Sequence, residues 1–338
     1  MAVIRWGIVG CGDVTEIKSG PGFRKADNSA LVAVMRRDAR LAEDYARRHG
    51  VPRWYDDADA LIADDGVDAV YIATPPESHK SLALKCAAAG KPALVEKPLA
   101  MNAMECRQMV EAFRARGLPL FSAFYRRAMP RFLTIRQMIE DGRIGDPRFV
   151  TIHHFSPPRA EMHRPSAPAT EDLPWRFRPE VGGGGIFVDT GVHILDWLDF
   201  VFGPIVDVQG RAANQAGLYP AEDIVTASFA FASGVLATGT WCFSAHRSYE
   251  RTRIGGTRGE LWFSFFTPDP VSLITDAGEE VIDLPYPEHV HQPLIQTVVD
   301  ELNGVGFCPS TGETGTRATL AVDAILGPYR SGVRAAAT

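Results

Sequence analysis

Two groups of residues have the types and spacing for chemistry on a small molecule. Glu96-Lys97-Pro98 ends a short apolar run at 92–96 that reads as a strand. An ammonium at a strand's end can bond a hydroxyl or carbonyl oxygen and stabilise negative charge developing there. Adjacent strand residues point to opposite faces, so Glu96 or Lys97 must face inward; a surface ion pair is the plainer alternative. Asp189 and His193 are four apart on an expected helix and share a face. The run Gly182-Gly183-Gly184-Gly185 precedes them and lets backbone and substrate come close. A histidine with an unperturbed pKa of about 6.5 can take a hydroxyl proton near neutral pH. Asp189 can orient that imidazole or hold a substrate hydroxyl. A lone helical histidine is more often structural, but the aspartate at i−4 and the glycine run favour the functional reading. Asp196 and Asp199, further along, read as structural. A zinc site from Asp189, His193 and Cys242 gains no support from ligand spacing, and no metal is expected.

The N-terminus carries a second signal. Residues 2–6 read as a strand, followed by Gly7-Ile-Val-Gly-Cys-Gly-Asp-Val14 and a helical segment. Strand, glycine turn and helix together suit a pyrophosphate held over Gly10, Cys11, Gly12, Asp13 and Val14. Thr15 stands where the fingerprint has its last glycine, and Ser19-Gly20-Pro21-Gly22 interrupts the helix. The second strand ends in Arg36-Arg37-Asp38. A fold that binds NAD places an acid there for the ribose 2′-hydroxyl, whereas arginine can bind a 2′-phosphate. Arg36 therefore favours NADP over NAD, with Arg37 beside it; a solvated basic turn, or Asp38 swinging to the ribose, stays open. Thr74, Pro75 and His79 follow the next strand and should border the cofactor. A structural role for His79 at a helix start is equally open.

Taken in order, the glycine turn, Ala73-Thr74-Pro75-Pro76 with His79, and Glu96-Lys97-Pro98 resemble the Gfo/Idh/MocA oxidoreductase family. The resemblance continues through the four glycines, Asp189, Gly191, His193 and Asp196, and through Gly255-Gly256-Thr257-Arg258-Gly259-Glu260-Leu261. It covers about residues 3–327 and is greatest to members that oxidise or reduce sugars and cyclic polyols. It implies a nicotinamide cofactor beside Lys97, a cis bond before Pro98, catalysis by Lys97, His193 and Asp189, and a homodimer or homotetramer formed through one sheet face. Glu96 and Lys97 are expected at the cofactor. Arg127, with Pro130 near it, is placed to touch the nicotinamide side or substrate. Trp175 can stack on a sugar's C–H face and Arg176 can donate to hydroxyls or to the cofactor. Packing is the alternative for each, and Tyr125 and His246 are weaker candidates. His153 and His154 point oppositely on a strand and make a poor chelating pair. The His289 and His291 pair precedes a helix that it can cap, or it can contact the sheet. Two other functions remain open on the same fold: a nicotinamide-dependent glycoside hydrolase and a non-catalytic NADP-sensing regulator. Dihydrodiol, unsaturated-aldehyde and imine substrates also remain open.

The elements that must position these residues follow from pattern. Short apolar runs alternate with helical segments through the first third: strands at 30–35, 69–73, 92–96 and 118–123, helices at 40–49, 78–89 and 102–116. This predicts a doubly wound parallel Rossmann sheet over 1–124. After it come a strand at 149–155, a long irregular stretch at 156–185 and an apolar helix at 186–202. Strands at 224–231, 235–243, 251–254, 260–265, 271–275 and 280–284 are joined by short turns, so a large, mainly antiparallel open sheet is expected in an α+β domain over 125–327. Helices at 292–303 and 313–326 and a loose tail at 328–338 complete the expectation. The 338 residues suit two domains, and 46% apolar with 22% charged residues suits a packed core. A net charge of −6 argues against nucleic acid or an anionic membrane surface as partner. No apolar run reaches membrane-spanning length. Five scattered cysteines without a Cys-x-x-Cys pair, and no signal-like N-terminus, point to a reducing cytoplasm.

Overall fold

A computed structural model describes residues 1–158 and 173–336, with side chains as far as 332. The middle of the irregular stretch expected at 156–185, residues 159–172, lies outside the described residues. The chain forms two compact units: Met1–Met129 with Pro287–Thr316, and Pro130–Tyr286 with Arg317–Thr338.

The first unit alternates strand and helix: β1 (Ile4–Val9), α1 (Asp13–Ile17), α2 (Gly20–Lys25), β2 (Ser29–Met35), α3 (Ala39–His49), β3 (Arg53–Tyr55), α4 (Ala58–Ala63), β4 (Ala69–Ile72), α5 (His79–Ala88), β5 (Ala93–Val95), α6 (Ala103–Arg114) and β6 (Leu120–Ser122). Its sheet has the order β3-β2-β1-β4-β5-β6, with every pairing parallel. That is the dinucleotide-binding order, whose ligands sit beyond the strands' carboxyl ends. β4 and β5 are buried throughout, as strands covered on both faces must be. Caps delimit the helices. Asp38 Oδ1 accepts from the Arg40 and Leu41 amides ahead of α3, which Gly50 ends at φ 64°. Asn102 caps α6 through the Glu105 amide. β3 and α4, too short for a clear period, are additions to the sequence reading.

The second unit contains α7 (Pro130–Glu140), β7 (Pro147–Phe155), α8 (Pro179–Gly182), α9 (Val192–Phe202), β8 (Ile205–Ala213), β9 (Ile224–Phe231), β10 (Leu236–Cys242), β11 (Tyr249–Gly256), β12 (Gly259–Phe263), β13 (Val271–Thr275) and β14 (Gly278–Ile282). Its eight-stranded sheet runs β14-β13-β12-β11-β7-β10-β9-β8. All pairings are antiparallel except β7 with β10. β9 alternates buried and accessible residues, the pattern of a strand with one face on the core. On that face Trp197 of α9 meets Phe132 of α7 at 5.6 Å and Phe263 and Phe265 at 5.5 Å.

Two features correct the expected boundaries. After β14 the chain returns to the first unit through α10 (Gln292–Leu302), so a single cut at 124 does not separate the units. The reason is apolar: Leu294, Ile295, Val298 and Val299 join Trp6, Phe23, Tyr71 and Phe121 in one buried cluster. The last helix, α11 (Gly312–Ala336), runs past Pro328 instead of leaving a loose tail after Gly327. Arg330 holds its far turns, pairing with Asp323 at 2.7 Å and donating to the Gly183 carbonyl.

Truncating one of the α10 anchors should expose this dependence. Ile295→Ala is expected to cost about 2–4 kcal/mol, read as a lower denaturation midpoint of the first unit.

Candidate active site

In the first unit the glycine turn packs on the end of β4. Gly10 has φ +93°, and a Cβ there would lie 2.7 Å from Thr74 Cγ2. A Cβ at Gly12 would meet nothing nearer than the Gly10 carbonyl at 3.9 Å, so the side of the turn that a pyrophosphate needs is open. The residues present therefore fit a dinucleotide. The Gly10 and Cys11 amides both donate to the Met35 carbonyl, at 2.9 and 3.0 Å. The Cys11 side chain is buried, and burial pushes its thiol up to about 11. Thr15 takes the last glycine's place by turning inward: its hydroxyl donates to the Gly12 carbonyl at 2.7 Å, and Tyr45 donates to its own carbonyl at 2.8 Å.

Arg36 directly follows β2, half-buried, with Nη1 donating to the Cys11 carbonyl at 3.4 Å, so it lies against the glycine turn. Arg37 is exposed. Asp38 caps α3 through Oδ1 alone. Thr74 and Pro75 are partly accessible at the end of β4. His79, expected to border the cofactor, is fully buried, with Nε2 2.8 Å from the Thr74 carbonyl and Nδ1 3.0 Å from the Pro98 carbonyl. This corrects the ligand reading: the ring ties together the two loops that flank the site. Burial holds its pKa below the usual histidine value.

Glu96 and Lys97 emerge from β5. The Lys97–Pro98 peptide is cis. Glu96 is the inward residue: Tyr71 donates to Oε1 at 2.5 Å, His291 Nε2 lies 3.0 Å from the same oxygen, and the Lys97 amide donates to Oε2 at 3.1 Å. Burial alone would raise this carboxyl, but the bond and charge of His291, the charge of Lys97 and the Tyr71 hydroxyl outweigh it and hold it at about 2. His291 is the N-cap residue of α10 but makes no side-chain cap bond there, and its ring lies tilted against Tyr125 at 4.5 Å. Lys97 itself is half-buried. Arg127 is almost fully buried and donates to the Pro309 carbonyl at 3.3 Å. Tyr71 was absent from the candidate residues of the sequence, and His291 stood there only as a helix cap or sheet contact; it meets Glu96 across 195 positions.

In the second unit the expected continuous helix has a π-helical turn at Phe187–Gly191, with regular α9 starting at Val192. Asp189 lies in that turn and His193 in the first turn of α9. π turns within helices recur at functional sites. Arg176 and Trp175 share a 3₁₀ turn, Trp175–Phe177, where the guanidinium lies 5.4 Å from the indole centre and 3.8 Å from Asp189 Oδ2. His193 is buried, its ring edge-on to Phe266 at 6.5 Å, and His154 stacks on the same ring at 4.7 Å. His153 lies on the other sheet face near Phe155 and Tyr249. Asp199 binds Arg317 at 2.7 Å, a structural role as expected. His246 is exposed beyond β10.

Two of the four glycines, Gly184 and Gly185, pack inside the protein, a role beyond the room for substrate that the sequence suggested. A Cβ at Gly185 would lie 2.5 Å from the Glu222 carbonyl, and one at Gly184 would lie 3.2 Å from Glu222 Oε1. That carboxylate oxygen accepts the Gly185 amide at 2.8 Å. Glu222 is another residue that sequence reasoning missed. Burial pushes its carboxyl up to about 7, with the Gly185 amide acting in the opposite direction.

The N-terminal profile described as "Oxidoreductase family, NAD-binding Rossmann fold" matches residues 4–124, and the "GFO/IDH/MocA C-terminal domain" profile matches residues 132–262. Oxidoreductase P35 of Formosa agariphila is 36% identical over 96% of this chain and 98% of its own length. The chain belongs to the Gfo/Idh/MocA oxidoreductase family. As a member it is an NAD(P)-dependent oxidoreductase. Two further relatives are the trans-1,2-dihydrobenzene-1,2-diol dehydrogenase of Bos taurus, 30% identical over 83% of this chain and 80% of its own, and the 1,5-anhydro-D-fructose reductase of Ensifer adhaerens, 29% identical over 92% of each. Among the described residues no helix is long and apolar enough to cross a membrane.

Glu222 makes the stability of this Gfo/Idh/MocA protein pH-dependent. Its folded pKa lies above the ordinary 4.5, so the folded state keeps a proton that the unfolded chain releases. The resulting stabilisation is complete below about pH 4.5 and is lost as pH rises through about 7, a contribution of roughly 1–3 kcal/mol. Thermal unfolding of Glu222→Gln should lack this decline between about pH 5 and pH 8 while the parent shows it.

Proposed function

We propose that the protein transfers a hydride between NADP and a carbinol or carbonyl carbon of a sugar, cyclic polyol or related hydroxy compound. The observation that carries this reading is Lys97 at the carboxyl end of β5, its backbone anchored by an ionised Glu96 at the position where an open parallel sheet binds its ligand. The two relatives named for a cyclic diol and an anhydro-sugar support a substrate with a ring-borne hydroxyl.

When bound, the nicotinamide supplies or accepts the hydride. The Lys97 ammonium bonds the reacting oxygen and stabilises its negative charge. His193 takes the hydroxyl proton during oxidation and returns it during reduction. Asp189, held near Arg176, orients the imidazole or a neighbouring hydroxyl. Trp175 offers an apolar face to the ring. NADP is preferred because the Arg36 guanidinium lies against the glycine turn, where it can meet a 2′-phosphate.

A panel of sugars and polyols, followed by nicotinamide absorbance with NAD and NADP, tests the activity; no turnover with any member of the panel would count against the substrate class. Lys97→Met should lower kcat by at least about 100-fold with cofactor affinity nearly unchanged. Near-normal turnover would remove Lys97 from the mechanism. Arg36→Asp should weaken NADP at least about tenfold while NAD binding changes little, and equal losses for both would refute the assignment.

A further inference from the structure

We propose that His291, brought in by the return of the chain before α10, is a positioning residue for Lys97 and acts through the Glu96 carboxylate. The proposal rests on the reading of Lys97 as the reactive amine.

The Glu96 side chain is 9% exposed and that of His291 2%. A carboxylate so removed from water stays charged only where protein donors replace its hydration. Three do so: the Tyr71 hydroxyl, His291 Nε2 and the Lys97 amide. With Glu96 ionised, Nε2 is the ring nitrogen that carries the proton of that bond. The imidazole cannot readily swing away. The Tyr125 ring packs tilted against one side of it at 4.5 Å, the Arg126 guanidinium lies 4.8 Å from the Tyr125 ring centre, and α10 is fastened by its four buried aliphatic side chains.

The titratable and charged groups around Glu96 come from every neighbouring element. Tyr71 belongs to β4, His79 to the start of α5, Lys97 to the same loop and His291 to the approach to α10. Tyr71 and His291 bond the carboxylate directly, whereas His79 acts through charge. His291 contributes the largest of the effects that oppose burial. Without it, burial meets less opposition and the carboxyl takes up a proton at a higher pH than in the parent. That proton would remove the negative charge beside Lys97 and weaken the acceptor of its backbone amide.

The test is a pH titration of the intact protein by NMR. The Glu96 carboxyl carbon is followed in protein carrying ¹³C-glutamate and assigned as the signal lost in Glu96→Gln; the Lys97 amide is followed in ¹⁵N-labelled protein. In the parent neither should titrate above about pH 4. In His291→Leu the carboxyl midpoint should rise by at least about 2 pH units, and the Lys97 amide should move with the same midpoint. Tyr71→Phe should shift both in the same direction by less, and His291→Gln, which keeps an N–H donor, should restore part of the loss. These two variants carry the test should His291→Leu fail to fold. A Glu96 midpoint unchanged in these variants, or one that moves without the Lys97 amide, overturns the proposal. Neither readout needs turnover, so the result is separate from the Lys97→Met experiment, which tests the amine's own role.

Discussion

A charged carboxylate shut away from water is the constraint around which the first unit is organised. Glu96 must find its donors inside the protein, and it finds them on β4, in its own loop and ahead of α10. Satisfying one side chain therefore fixes where β5 ends and where the returning chain enters the unit. It also fixes the backbone of Lys97, whose amide supplies the third donor. The same few bonds that make the burial tolerable thus hold the backbone of the amine proposed to act in the reaction.

The second unit buries a carboxyl as well, and resolves the problem with the opposite charge state. Glu222 accepts the Gly185 amide and, among the described residues, no imidazole or phenol bonds it, so burial prevails and its affinity for a proton rises. Glu96 has three donors and stays ionised. Donor number and donor charge, not depth, separate the two cases. Close packing also accounts for the last two glycines of the run: a side chain at Gly185 would meet the Glu222 carbonyl, and one at Gly184 would meet Val188.

Local pattern made much of this legible. Alternation of apolar runs and helices located the parallel sheet, and the strand expected at 224–231 is β9 to the residue. The glycine turn, Arg36 and Glu96-Lys97-Pro98 could be ranked by their place at strand ends. Pairings between distant positions left no such trace. His291 reaches Glu96 from the far side of the second unit's sequence, and Glu222 reaches the glycines across 37 positions. No spacing rule links either pair. The π turn was invisible for a related reason, since an apolar segment with a four-residue Asp–His spacing reads as ordinary helix. α7 was overlooked because its apolar face is diluted by Arg131 and Arg136, of which Arg131 is buried with its guanidinium on the Leu284 and Asp269 carbonyls.

The discontinuity of the first unit has a consequence for biosynthesis. A ribosome releases the parallel sheet long before it makes α10, and the Pro130–Tyr286 stretch of the second unit is translated in between. Until residues near 300 leave the exit tunnel, Trp6, Phe23 and Tyr71 lack their aliphatic cover and Glu96 lacks its imidazole. The nascent nucleotide-binding half must wait in an unfinished state, dependent on sequence still to come. Vectorial folding, in which an N-terminal domain closes before its successor appears, is barred by this chain path.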